Sequence, residues 1–166
     1  MAYADKVDAR FFAVELVLNW LALSLEFNKT PKEQARLEKC VWRKGELIFN
    51  FIEDKLKIRK GSSPYTVAKK VADYITETGY AKVEIHKVSD TELYRDWWEG
   101  TVIRPMLQKY RPKGLKVTPM PAPALIYAAL KKLCNMKVKV SEISKAEQAK
   151  VPKGVERQLW TLSPIK

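Results

Sequence analysis

Between Pro123 and Ile143 the chain switches its hydrophobic period, and that switch limits the folds open to it more than any other feature. Pro119, Pro121 and Pro123 fix φ and bias the residues before them away from the α region, so an extended approach is expected until Pro123 opens a helix. From Ala124 to Leu133 that helix is apolar almost all round until Lys131 and Lys132. A helix of this kind belongs inside a core, laid against a sheet. Asn135 suits a left-handed cap, and in Met136 to Ile143 Lys137 and Lys139 alternate with Val138 and Val140, the period of a strand.

The same reading extends in both directions. Val7 to Phe27 is apolar apart from one narrow stripe of Asp8, Glu15, Asn19 and Glu26, which predicts a nearly buried helix, either central or shared between the subunits of a homodimer. Glu15 is read as a wet member of that stripe. Thr30, Pro31 and Glu33 form a helix start with the elements of a capping box, and the helix should run to about Ile58. Gly45 interrupts it, so either the helix bends there or another backbone comes close. Ser63 and Pro64 open a further helix that turns Val67, Ala68, Val71, Ala72 and Ile75 inward and ends at Gly79. Ala81 to His86 alternates as a strand with one wet face. Glu92 to Trp98 reads as its partner, although Tyr94, Trp97 and Trp98 alternate poorly. A short helix is expected over Val102 to Tyr110, and a last strand over Val155 to Leu162 makes a hairpin with the one before it. The order predicts one α+β domain over 1–166, with long N-terminal helices packed on a small, mostly antiparallel sheet. Residues 1–28 would form the buried or dimerising helix and 30–163 the ligand-binding-like body.

At 166 residues a core of ordinary size is within reach without metal or disulfide. Cys40 and Cys134 are read as buried reduced thiols, which points to the cytoplasm. The apolar stretch 11–27 is interrupted by Glu15 and Asn19 and is short for a membrane span. Charge is divided unequally. Residues 1–100 carry 17 basic and 16 acidic side chains and residues 101–166 carry 14 and 3, so the net +12 is almost wholly C-terminal. Such a half attracts polyanions, and it is equally compatible with a plainly solvated surface.

Few residues suggest catalysis. The single histidine, His86, lies on the wet face of a strand with no second ligand at metal spacing and is read as solvated. The Lys60 to Ser63 loop lacks the form of a phosphate loop. No acid–base pair can be named, so an enzyme is the less favoured class, and no metal or cofactor is assigned. Aromatic residues beside cations are the stronger lead. Trp97 and Trp98, with Tyr127 and Leu130, could line an apolar pocket. Alternatively, Arg104, Lys109, Tyr110, Arg111, Lys113, Lys116, Lys137 and Lys139 could form a face that holds single-stranded nucleic acid. A third reading places one tryptophan of the pair in the core and the other under a lysine stem.

Lys44 to Phe49 inside a long helix, Thr76 to Ile85 at a helix-to-strand junction, and the closing order of helix, strand and strand resemble the 4-vinyl reductase-like, hydrocarbon-binding family. That family is related in fold to haem nitric-oxide-binding domains and to vesicle-tethering subunits of Golgi transport. The resemblance covers residues 35 to 163. It implies a non-catalytic domain, a sensor or carrier, that holds an apolar or aromatic small molecule between helices and sheet. Two departures matter. Pro121, Ala122 and Pro123 stand where the family tends to carry glycines, and the final hairpin lacks the cysteines of many members, which puts a metal role in doubt.

Overall fold

The computed structural model describes residues 30–78, 81–98 and 121–165, and Thr30 caps the first of the described helices. The expected helices over 7–27 and 102–110 lie outside these residues, as does the expected stop at Gly79. Helix α1 spans Pro31–Leu56. The Thr30 hydroxyl accepts the Glu33 N–H at 3.3 Å and donates to the Glu33 carboxylate at 2.9 Å, while Pro31 occupies a position where no N–H is needed. Lys57 ends the helix in the left-handed region at φ 47°. Helix α2, Pro64–Glu77, is capped by Ser63 Oγ, which accepts from the Thr66 N–H at 3.2 Å, and it buries the five residues expected of it.

Strands β1, Val83–Lys87, and β2, Glu92–Trp98, pair antiparallel with Val83 opposite Trp97. Helix α3, Pro121–Cys134, is stopped by Asn135 at φ 53°, the left-handed cap its sequence suggested. Strand β3, Met136–Glu142, leads through the single-turn helix α4, Lys145–Gln148, into β4, Val155–Pro164. Ser144 and Glu147 close a full capping box on α4, a turn not foreseen from the sequence. The sheet order is β1-β2-β4-β3 with every neighbour antiparallel, so the fold is α+β.

Helix α3 is the hub. It packs against α1, α2 and the sheet strand β3, whereas α1 packs chiefly on α3. This sandwiching explains why α3 is apolar almost all round: Ala124, Leu125, Ile126, Ala128, Ala129 and Leu130 are all buried. Its two exposed lysines tie it to α1, Lys131 through Glu46 at 2.6 Å and Lys132 through Asn50 at 2.9 Å and Glu53 at 2.5 Å. Gly45 gives the second of its two anticipated outcomes, a close backbone approach. A Cβ built there would lie 2.5 Å from the Ala124 carbonyl oxygen, so the helices cross where α1 has no side chain. Cys40 is exposed on α1, contrary to the expected buried thiol, because the inward face is taken by Leu37, Val41 and Phe49; Cys134 is half-buried. Among the described residues no helix is long and apolar enough to cross a membrane.

Candidate ligand site

Strand β2 is central in the sheet, with β1 on one side and β4 on the other, so both of its edges are paired. Leu93, Arg95 and Trp97 face the helices, and Tyr94, Asp96 and Trp98 face away. That is why its aromatic residues did not alternate cleanly: Arg95, Asp96 and Trp97 are all buried. A charge in such a place needs a partner. Asp96, 2% exposed, has two, which make three hydrogen bonds: two of 2.6 Å from Arg157 and one of 3.1 Å from His86 Nε2. His86 is thus half-exposed but engaged. Among the described residues no hydroxyl or thiol reaches it, so the pair lacks a nucleophile.

Arg95 is served less well. It is 5% exposed, and its guanidinium carbon lies 5.7 Å from the Trp97 ring centre and 6.0 Å from that of Trp160. One Nη meets Glu156 Oε1 at 3.4 Å, and among the described residues Nε is buried without an acceptor. Burial pulls its pKa below the ordinary value, opposed first by the Glu156 charge. Guanidinium stays charged even so, and a buried cation with a free donor is left on the helix-facing side of the sheet.

Above it stands an aromatic ladder. Trp160, fully buried on β4, meets the Tyr127 ring at 4.7 Å, and Tyr127 stacks on Trp42 of α1 at 4.6 Å and 25°. Burial raises the Tyr127 pKa well above its ordinary value, with Arg95 pulling weakly the other way. Where α1 crosses α3 the ladder opens into a groove of about 170 Å³, lined by Trp42, Glu46, Ala124, Tyr127, Ala128 and Lys131. Trp42 and Glu46 are one helical turn apart on α1, and Ala124, Tyr127, Ala128 and Lys131 follow the i, i+3, i+4, i+7 row of α3. The Glu46–Lys131 ion pair spans the groove.

Of the residues expected to line a pocket, Tyr127 does so. Trp97 and Leu130 are buried in the core, and Trp98 lies on the opposite face of the sheet with Lys82 Nζ 4.1 Å from its ring centre. The arrangement of one core tryptophan and one lysine-covered tryptophan is therefore the one found. Of the cationic set, Lys137 and Lys139 are exposed on β3, alternating with Val138, which packs on the core. Arg104, Lys109, Tyr110, Arg111, Lys113 and Lys116 lie outside the described residues. Sequence reasoning missed Trp42, Glu46 and Arg95. The last carried a signal, a lone cation two residues from Leu93 and Trp97 on the apolar side of a strand.

Among the described residues no cluster of three or more His, Cys, Asp or Glu side chains is placed to hold a metal ion. Compared with known proteins, the chain matches no family model and no curated sequence.

Proposed function

We propose that this is a non-catalytic small-molecule-binding domain of the kind the hydrocarbon-binding resemblance implies, and that it takes a small aromatic ligand in the groove between α1 and α3. The observation that carries this reading is the Trp42–Tyr127–Trp160 ladder opening at the groove. A stack that ends at a cleft offers a ring face to a ligand. The interior between α3 and the sheet is filled by Ile126, Leu130 and Trp160, which supports placing the ligand at the helix crossing. At about 170 Å³ the groove is well below the roughly 300–1,000 Å³ of sites for drug-sized ligands, which favours a molecule of one or two rings.

Calorimetric titration with 2-naphthamide, a neutral two-ring probe, tests this. Binding should weaken about three- to tenfold in Trp42→Ala, the worth of one aromatic stack, and stay unchanged in Trp98→Ala. Weakening in Trp98→Ala alone would rule the groove out, as would failure of both 2-naphthamide and its carboxylate counterpart, 2-naphthoate, to bind at their solubility limits.

The homodimer expected through residues 7–27 is part of the same proposal. Leu47 and Phe51, the latter 79% exposed, add apolar surface on α1 that an interface could cover. Light scattering that gives a monomer at micromolar concentration would remove this part. For the alternative of a single-stranded nucleic-acid partner, support among the described residues is confined to Lys137 and Lys139, side by side in the basic half. It calls for oligonucleotide affinity that falls steeply with salt and weakens in the Lys137→Glu/Lys139→Glu variant.

A further inference from the structure

Resting on the groove reading above, the geometry points to a ligand that carries an acid group: we infer that an aromatic carboxylate or its equivalent binds with its rings in the groove and its anion on the open Nε–H of Arg95. Three observations converge. Arg95 is buried with that donor unused among the described residues, although buried side-chain donors are ordinarily paired. Its guanidinium stands against Trp160, on which Tyr127, the floor of the groove, rests. Glu156, its acidic partner, is half in solvent and contacts Arg95 at the long distance of 3.4 Å, with Gln158 Nε2 donating to the same oxygen at 3.1 Å. A carboxylate arriving from the groove completes the set that the planar guanidinium is shaped to serve.

Tyr127 lies between the groove and Trp160, so this pose requires its ring to turn aside and open a path to Arg95. The other cation near the groove, Lys131, is held by Glu46 at 2.6 Å and is the rival reader of the ligand's charge. The two make different demands. Arg95 sits in a water-poor interior, where a charge-assisted bond discriminates strongly, whereas Lys131 is exposed and screened by salt.

The test compares 2-naphthoate with 2-naphthamide, which share a ring system and differ in charge, on the full chain by calorimetry. The naphthoate is expected to bind at least about tenfold tighter. That preference should vanish in Arg95→Met, shrink in Arg95→Lys, which keeps charge but loses the planar fork, and survive in Lys131→Met and in 0.5 M salt. Circular dichroism shows whether each variant is folded; if Arg95→Met is not, the Arg95→Lys, Lys131→Met and salt results decide. Equal affinity for the two probes overturns the inference and leaves the groove reading standing. A preference lost in Lys131→Met or in salt also overturns it, assigning the charge to the rim. Failure of both probes to bind removes the groove reading itself.

Discussion

Arg95 and Asp96 are neighbours in sequence, point to opposite faces of one strand, and are both buried. Asp96 is saturated by Arg157 and His86, so it holds the outer face of β2 to β1 and β4. Asp96→Asn leaves Arg157 without its counter-charge and should cost about 3 kcal/mol in urea unfolding. The Asp96→Leu/Arg157→Met pair should recover most of that, since a well-packed apolar pair replaces a buried ion pair at little cost. A double variant no more stable than Asp96→Asn would mean that the pair does more than satisfy itself. Tyr127 makes a pH prediction. Its pKa is raised by burial, so the folded state keeps the phenol proton at pH values where the unfolded chain has lost it. Its contribution to stability is whole below its ordinary value of 10.0 and is lost as pH rises beyond it toward the raised value. Stability measured from pH 9 to 11 should therefore fall less steeply in Tyr127→Phe than in the native chain; identical slopes would place that hydroxyl in water.

At the scale of elements, the crossing of α1 on α3 is the feature with most consequence. Gly45→Ala should destabilise by about 1–2 kcal/mol, because overpacking against the Ala124 carbonyl outweighs the roughly 1 kcal/mol that alanine gains in a helix. It should also weaken probe binding by spreading the groove walls. A more stable Gly45→Ala protein would mean that the crossing yields easily. The sequence made much of this element structure legible. Thr30, Pro31, Ser63, Pro64 and Asn135 act through local backbone chemistry, and each sits at the helix end that such chemistry specifies. Gly45 announced a close approach without naming Ala124, since the partner is set by tertiary packing. β2 was read with its bounds and its β1 partner, although its alternation was weak. Aromatic residues fall on both of its faces, Trp97 on the buried one and Tyr94 and Trp98 on the half-buried one, and the buried charges Arg95 and Asp96 fall one on each. The lysines of β3 take on an element-scale meaning too. β3 is an edge strand, and Lys137 and Lys139 discourage pairing with another chain. Replacing both by valine should raise self-association in light scattering, and an unchanged monodisperse species would argue that the edge is protected some other way.

Over the whole molecule, the order of helices then strand, helix and hairpin was readable because the hydrophobic period changes where the elements change. The sheet order was not. β2 and β4 are far apart in sequence, with Leu93 opposite Trp160, and no local pattern records that contact. The candidate site shares this difficulty, since Trp42, Arg95, Tyr127 and Trp160 come from four separate elements and meet only when all four are in place. Tyr127 was within reach of sequence reasoning because it interrupts an otherwise aliphatic and alanine-rich helix. Trp98 was misleading because an aromatic pair in a strand necessarily splits between two faces. The whole arrangement is most directly tested by the tryptophan indole N–H resonances in a nitrogen–proton NMR spectrum, assigned by single Trp→Phe variants, during titration with 2-naphthoate. Ligand binding in the groove should move the Trp42 and Trp160 signals together and leave Trp98 in place. Movement of Trp98 with Trp42 and Trp160 unchanged would contradict it.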